Sequence, residues 1–405
     1  MTLLKPRLAR LSPLATVLLA TLLFSLAVQA QPSQEKSSAP AQSIWQLETT
    51  PNIGAANVLQ SLSADSENDI WSVGDFVSLH FDGAAWTAFP LVPFQTKQPS
   101  EDTMNGVAAI SATDVWAVGT ALEETQSGGS HLIGLIEHFD GTQWSMVPNP
   151  QSASGVELNA IQAISATDIF AVGDSHADSQ QPNPLLEHYD GTQWTVVPLP
   201  QLKNGQTGRL NGIAIISASY IWAIGDSGGV VPTAIVAMHF DGQKWRIVPV
   251  PVPSNGKVHD VEFGKGVTAI ATNDVWAVGN FTSSAAGAVQ KTLTEHWDGK
   301  AWKIVPSPNT GPAGSANRLE GVAAVSSSSV WACGQTLDTN GLGFTNLIEH
   351  WDGTSWTISP VAPGNGFAGL SAMLAFPSGS VYAAGSDLGQ NSILISVIFH
   401  TTQGQ

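Results

Sequence analysis

Cysteine is almost absent from this chain. Cys333 is the only one among 405 residues, which excludes an intramolecular disulfide and any multi-cysteine metal knot. Cys333 stands where other parts of the chain place the Val of an Ala-Val-Gly run, so it is expected to be a small buried apolar residue. Positive charge is also scarce: 15 Lys and Arg face 32 Asp and Glu, for a net charge of −17. That balance argues against nucleic acid and anionic lipid, both of which need a basic face. Only one long apolar run exists, from Leu11 to Val28. It follows Lys5, Arg7 and Arg10 and leads to Val28-Gln29-Ala30. This is the pattern of a secretory signal peptide over residues 1–30 with cleavage after Ala30; retention as an anchor is the alternative. No Cys follows the run, so no lipid anchor is expected. No other segment is long enough to span a bilayer, and a secreted or cell-surface location follows. Residues 31–43 are Gln, Pro, Ser and Ala, a linker composition. No second shift in composition occurs, and 44–405 reads as one domain.

What the chain has in abundance is a repeat. Leu185-Leu186-Glu187-His188-Tyr189-Asp190-Gly191-Thr192-Gln193-Trp194 is closely matched by Leu135 to Trp144. The reduced form His-x-Asp-Gly-x-x-Trp begins at His80, His138, His188, His239, His296 and His350. Asp-Gly between apolar runs signals a β-hairpin, here expected to turn through a two-residue type I′ loop. Upstream of each copy lies a second strand-turn-strand element. Its aromatic recurs at Trp71, Trp116, Phe170, Trp222, Trp276, Trp331 and Tyr382, a period of about 50 residues. Four strands per unit predict the blades of a β-propeller, with strands a to d running outward from the axis. Strand a reads as short and apolar, as in Ile161 to Ile164. Strand b is apolar on both faces, as a strand between stacked blades must be, and the Gly after it is expected to end it. Strand d runs into Pro, which suits an outer edge.

The count is seven. The last unit keeps Tyr382 and His400 but has no strand d, whereas Ile44-Trp45-Gln46-Leu47 has no hairpin partner before it. An all-β, seven-bladed propeller is therefore expected, its ring closed by the N-terminal strand (residues 44–50) completing blade seven. In this repeat length, strand pattern and Asp-Gly hairpin, residues 44–405 resemble secreted bacterial seven-bladed propellers of the broad kelch or galactose-oxidase-like class. The 14 Trp are accounted for by strand d, strand b and the Trp297 and Trp351 positions before a turn Asp, so they read as inter-blade packing. The recurrent His reads as structural, hydrogen-bonded to backbone groups. Equivalent strand c positions lie too far apart to share one ion, and no metal or cofactor is expected.

Function on a repeat scaffold is expected on the face with the variable loops. Blade one takes few residues from Trp71 to His80, and blade two many more from Trp116 to His138. The b–c and d–a loops therefore form the variable face. On that face the start of strand a is polar in every unit: Gln60, Asn105, Asn159, Asn211, Lys265, Glu320 and Ser371. These are the candidate binding residues of the channel mouth. The loops add His131, His176, Asp178, Arg209, His259, Asp260 and Arg318. The resulting expectation is a secreted, monomeric, non-catalytic propeller that recognises a glycan, peptide or protein. The alternative is a carbohydrate-active hydrolase or lyase, for which Asp260 and Glu262 are the adjacent carboxylates. Past residue 30 the arginines are only Arg209, Arg246 and Arg318, too few for a sialidase-like cluster. Three Tyr and one Cys also disfavour the copper-radical chemistry that the galactose-oxidase resemblance implies.

Overall fold

The computed structural model describes residues 44–53, 57–93, 102–124, 130–150, 155–176, 182–203, 206–227, 233–253, 257–337, 343–365, 368–389 and 393–402. Residues 1–43, where a signal peptide and linker are expected, and Asp178 lie outside them. The described residues form seven sheets of four antiparallel strands each. Blade three shows the plan: Val156–Ser165 (a), Asp168–Ser175 (b), Asn183–Tyr189 (c) and Trp194–Val196 (d). Strand a of each blade packs on strand a of the next, and blade seven returns to blade one. Blade seven takes Gly369–Ala375, Val381–Leu388 and Leu394–Thr401 from the C-terminal part and Gln46–Leu47 as strand d. Gln46 pairs with His400 and Leu47 with Phe399, the closure expected. No helix among the described residues is long and apolar enough to cross a membrane.

The core lies between blades. The strand b Trp of one blade meets the strand d Trp of the next edge-on: Trp71–Trp144 at 5.8 Å, Trp222–Trp302 at 5.2 Å and Trp276–Trp356 at 5.4 Å. Trp331 meets Trp45 in the same way at 5.4 Å, so the N-terminal Trp occupies the place that a hairpin supplies elsewhere. Such pairs add to the burial of two large rings. Cys333 is fully buried beside them, and burial pushes its thiol well above the usual range.

Four local expectations are corrected. The Asp-Gly hairpin is a four-residue loop, not a type I′ turn. Phe81 pairs with Trp86 across Asp82–Ala85, and only the Gly takes positive φ, 88° at Gly83 and 92° at Gly141. The Asp side chain closes the loop instead: Asp140 Oδ1 accepts the N–H groups of Thr142 and Gln143. The Thr142 hydroxyl, which also donates to it, and then these N–H bonds hold its carboxyl down at about 2, because they favour the charged form. Strand a is long rather than short, and it carries a β-bulge. The strand b Gly lies opposite that bulge, and in blades two to seven the strand continues past it. A Cβ on Gly119 would stand 2.0 Å from Thr103 O, and one on Gly225 2.0 Å from Arg209 O. Close approach of the carbonyl two residues before the bulge, not strand termination, demands Gly there.

The fourth correction concerns the recurrent His. In five blades its partner is a side chain, not backbone; in blade four His239 Nε2 is buried with no hydrogen-bond partner among the described residues. His80, His138, His188 and His296 meet Asp69, Asp114, Asp168 and Asp274 at 2.7–2.9 Å. His350 meets Ser329 Oγ at 3.0 Å. The His pairs directly with the strand b aromatic, as in Trp116↔His138. The Asp stands two residues before that aromatic, on the same face of the strand, and is the diagonal neighbour of the His. In blades one and two the same Asp also accepts the indole N–H of Trp71 or Trp116. His138→Ala is expected to cost about 1–2 kcal/mol, because Asp114 loses one of two donors and Trp116 its stacking partner at 4.3 Å. Thermal unfolding checks this; an unchanged melting temperature would remove the assigned role.

Candidate functional site at the channel mouth

The seven polar residues expected at the channel mouth are the bulges themselves. The register of strand a shifts across Gln60, Asn105, Asn159, Asn211, Glu320 and Ser371. In blade five it shifts between Phe263 and Val267, across Gly264-Lys265-Gly266. A bulged residue leaves the ladder and re-aims its side chain, so the ring forms within strand a and not ahead of it. Gln60, Asn105, Lys265 and Ser371 line a central cavity of about 350 Å³ together with the apolar Leu62, Val107, Ile161 and Met373.

Most of the ring is bonded to itself. The side-chain amides of Asn105, Asn159 and Asn211 donate to Leu158 O, Leu210 O and Phe263 O at 2.8–3.0 Å. Each acceptor lies in strand a of the next blade, so three Asn staple blades two to five. Lys265 then crosses the channel and donates from Nζ to Asn105 O at 2.9 Å and Asn105 Oδ1 at 3.2 Å. Burial pushes its ammonium down to about 8, against the opposing pull of Glu320 and Asp75. A Cβ on Gly264 or Gly266 would stand 2.9 Å from the Glu320 carbonyl, so the flanking glycines let this three-residue bulge pack against blade six.

Outside the ring lies a charged belt that sequence reading largely missed. It combines the residue after the strand b Gly with the residue two before the bulge. Glu157 pairs across the ladder with Asp174, Arg209 with Asp226, and Arg318 with Gln335. Blade five contributes Glu262 opposite Asn280. Asp174 is 1% exposed and Asp226 2%. Burial raises both carboxyls to about 6; Glu157 adds to the rise at Asp174, and Arg209 opposes it at both. Asn211 donates to Asp226 Oδ2 at 2.8 Å, joining ring to belt. Arg318 Nε reaches Glu320 Oε1 at 3.1 Å. Burial raises the Glu320 carboxyl, and the charges of Arg318, Glu262 and Lys265 act on it. The belt thus runs continuously over blades three to six. A signal for it was present: Asp75, Thr120, Asp174, Asp226, Asn280, Gln335 and Ser386 make the position after that Gly polar in all seven blades.

The expected loop residues divide. Arg209, Arg318 and His176 belong to the belt, the last through Asp174 at 2.8 Å. His131 pairs with Glu123 at 3.2 Å, and His259 with its neighbour Asp260 at 3.5 Å. Each of the three His thus has a carboxylate in its own blade.

No family model matches the chain, and no curated protein does. Solved structures match in fold. The WD40 β-propeller domain of Doa1 aligns at 10% identity with a TM-score of 0.52, over 88% of this chain and 97% of that one. A PL25 ulvan lyase bound to an oligosaccharide aligns at 10% identity with a TM-score of 0.53, over 87% and 94%. At this identity the likeness concerns architecture, and the chain is similar in fold to seven-bladed propellers of unlike function.

Proposed function

We propose that this protein is an exported, non-catalytic binding propeller that holds a polar ligand, of the glycan, peptide or protein class, over the blade three to six sector of the channel mouth. The observation that carries this is the belt itself: Asp174 and Asp226 are kept buried at raised pKa beside Arg209. Ionisable groups buried at a cost cluster at functional sites. Arg209 and Arg318, steered by these carboxylates and by Glu320 and themselves partly exposed, present the paired donors that hydroxyl-rich or amide-rich ligands need. The kelch or galactose-oxidase-like class rests on the repeat pattern alone. Ulvan-lyase chemistry is not transferred, because the scaffold is shared without its sequence. A monomer, a secreted location and no nucleic-acid or membrane partner complete the proposal.

A hydrolase is the second reading, favoured by one observation. The Glu157 and Asp174 oxygens lie within 4.8 Å of one another, near the roughly 5–5.5 Å of retaining glycosidases. The two readings separate on one panel of glycans and cell-wall polysaccharides, with retention read by array and turnover by mass spectrometry. Retention without new products, weakened by Asp226→Asn, is the expected result. New products would establish the hydrolase. No retention of any glycan, with capture of a surface protein, would move the ligand to the protein class.

A further inference from the structure

We propose that Glu157, Asp174 and His176 bind a divalent transition-metal ion of the zinc type. One donor atom from each residue lies within 4.8 Å of the others. The strands enforce this grouping. Glu157 is the cross-strand partner of Asp174, and His176 follows Asp174 by two positions. Side chains so related share one face of a sheet. The His176 N–H donates to Gly155 O at 2.8 Å, which extends the ladder one step and fixes the imidazole beside the carboxylates. Its Nε2 stands 2.8 Å from Asp174 Oδ2.

A second observation points to a ligand. Asp174 is 1% exposed, and its Oδ1 is a buried oxygen with no hydrogen-bond partner among the described residues. A buried carboxylate oxygen left unpaired is costly. Arg209 lies towards Asp226, at 3.7 Å, and donates no hydrogen bond to Asp174 Oδ1. A metal ion held by both Asp174 oxygens would supply the missing partner of Oδ1 and take the place of the proton between His176 and Oδ2. Imidazole nitrogen with two carboxylates suits zinc and its neighbours, whereas calcium and magnesium favour all-oxygen shells. Donors about 2.0–2.2 Å from a common ion stand at most about 4.4 Å apart, a spacing that small side-chain adjustments reach from a group already within 4.8 Å. Three protein ligands leave a fourth position for water or for an atom of a bound ligand. The site shares the belt proposed above, but its test uses metal alone, so either proposal can fail without the other.

The experiment is calorimetric titration of the chelator-stripped full chain with zinc chloride, then with calcium and magnesium chloride. One saturable zinc site is expected, with no calcium or magnesium binding at the same concentrations. His176→Ala and Asp174→Asn should each weaken zinc by at least about 10-fold. His131→Ala and His259→Ala, which break the other His–carboxylate pairs, should leave it unchanged. Melting of each variant without metal verifies its fold, and the visible spectrum of the cobalt-loaded chain reports a nitrogen-and-oxygen site independently. Absence of saturable zinc binding, or binding equally tight in His176→Ala, overturns the proposal.

Discussion

Replacing Trp45 with Ala is expected to lower the unfolding free energy by about 3–5 kcal/mol, the range for removing a large core aromatic. Deleting residues 44–50 should cost more. Trp45 is 6% exposed. It donates its indole N–H to Ser359 Oγ at 3.0 Å and packs edge-on against Trp331. The segment behind it holds blade seven through Gln46↔His400, Leu47↔Phe399 and the Glu48 N–H to Ile398 O. Without these residues the strand Leu394–Thr401 becomes an open edge, the feature that ring closure removes. Elsewhere strand d is tethered to strand c by a four-residue loop. At the seam the two are about 350 residues apart, which raises closure entropy by about 4 kcal/mol. The seam strand therefore works against a cost that the other six do not meet. Thermal and denaturant unfolding of both variants provides the check; melting unchanged from the parent would show that the ring closes without its N-terminal strand.

The second large effect is a gain. Glu137, Glu187, Glu295 and Glu349 occupy one position of strand c, and all are 0% exposed. Glu295 is the extreme case. Neither carboxylate oxygen has a hydrogen-bond partner among the described residues, and burial raises its pKa from 4.5 to about 9. The folded form therefore binds a proton that the unfolded form releases between those values, and stability falls as pH rises from about 4.5 to about 9. Keeping this carboxyl protonated at pH 7 costs about 3 kcal/mol, at 1.36 kcal/mol per pH unit. Blade four has Met238, equally buried, at the same position. Glu295→Met is thus a volume-conserving change that should raise stability by about 3–5 kcal/mol at pH 8, several degrees in melting temperature. The gain should shrink towards pH 5, where the wild-type carboxyl is protonated at little cost. Parallel melts at pH 5 and 8 decide the matter; a gain equal at both, or a loss at pH 8, would contradict the assignment.

These two cases mark different depths of legibility. Trp45 could be found by counting, because six units had a strand d Trp and the seventh needed one. Glu295 was in plain view in its Leu-x-Glu-His setting, yet a strand pattern alone does not say whether a charged residue meets water or the next blade. The channel-mouth ring was likewise readable as seven polar residues in register. Its bulges, and the bonds that commit Asn105, Asn159 and Asn211 to neighbouring blades, were not.

The sequence by itself determined the fold class, the blade count, the closure and the inter-blade role of the tryptophans. Each is carried by a periodic signal, and periodicity survives without coordinates. The tertiary structure decided what falls between blades. It gave five of the recurrent His an Asp or Ser side-chain partner in place of backbone, and it turned the glycines of strand b into seats for the carbonyls that precede the bulges. It also drew Glu157, Asp174, His176, Arg209 and Asp226 from two blades into one belt. Cross-blade neighbours are about 50 residues apart in the chain. Their meeting depends on bulge geometry and blade rotation, which no local pattern encodes.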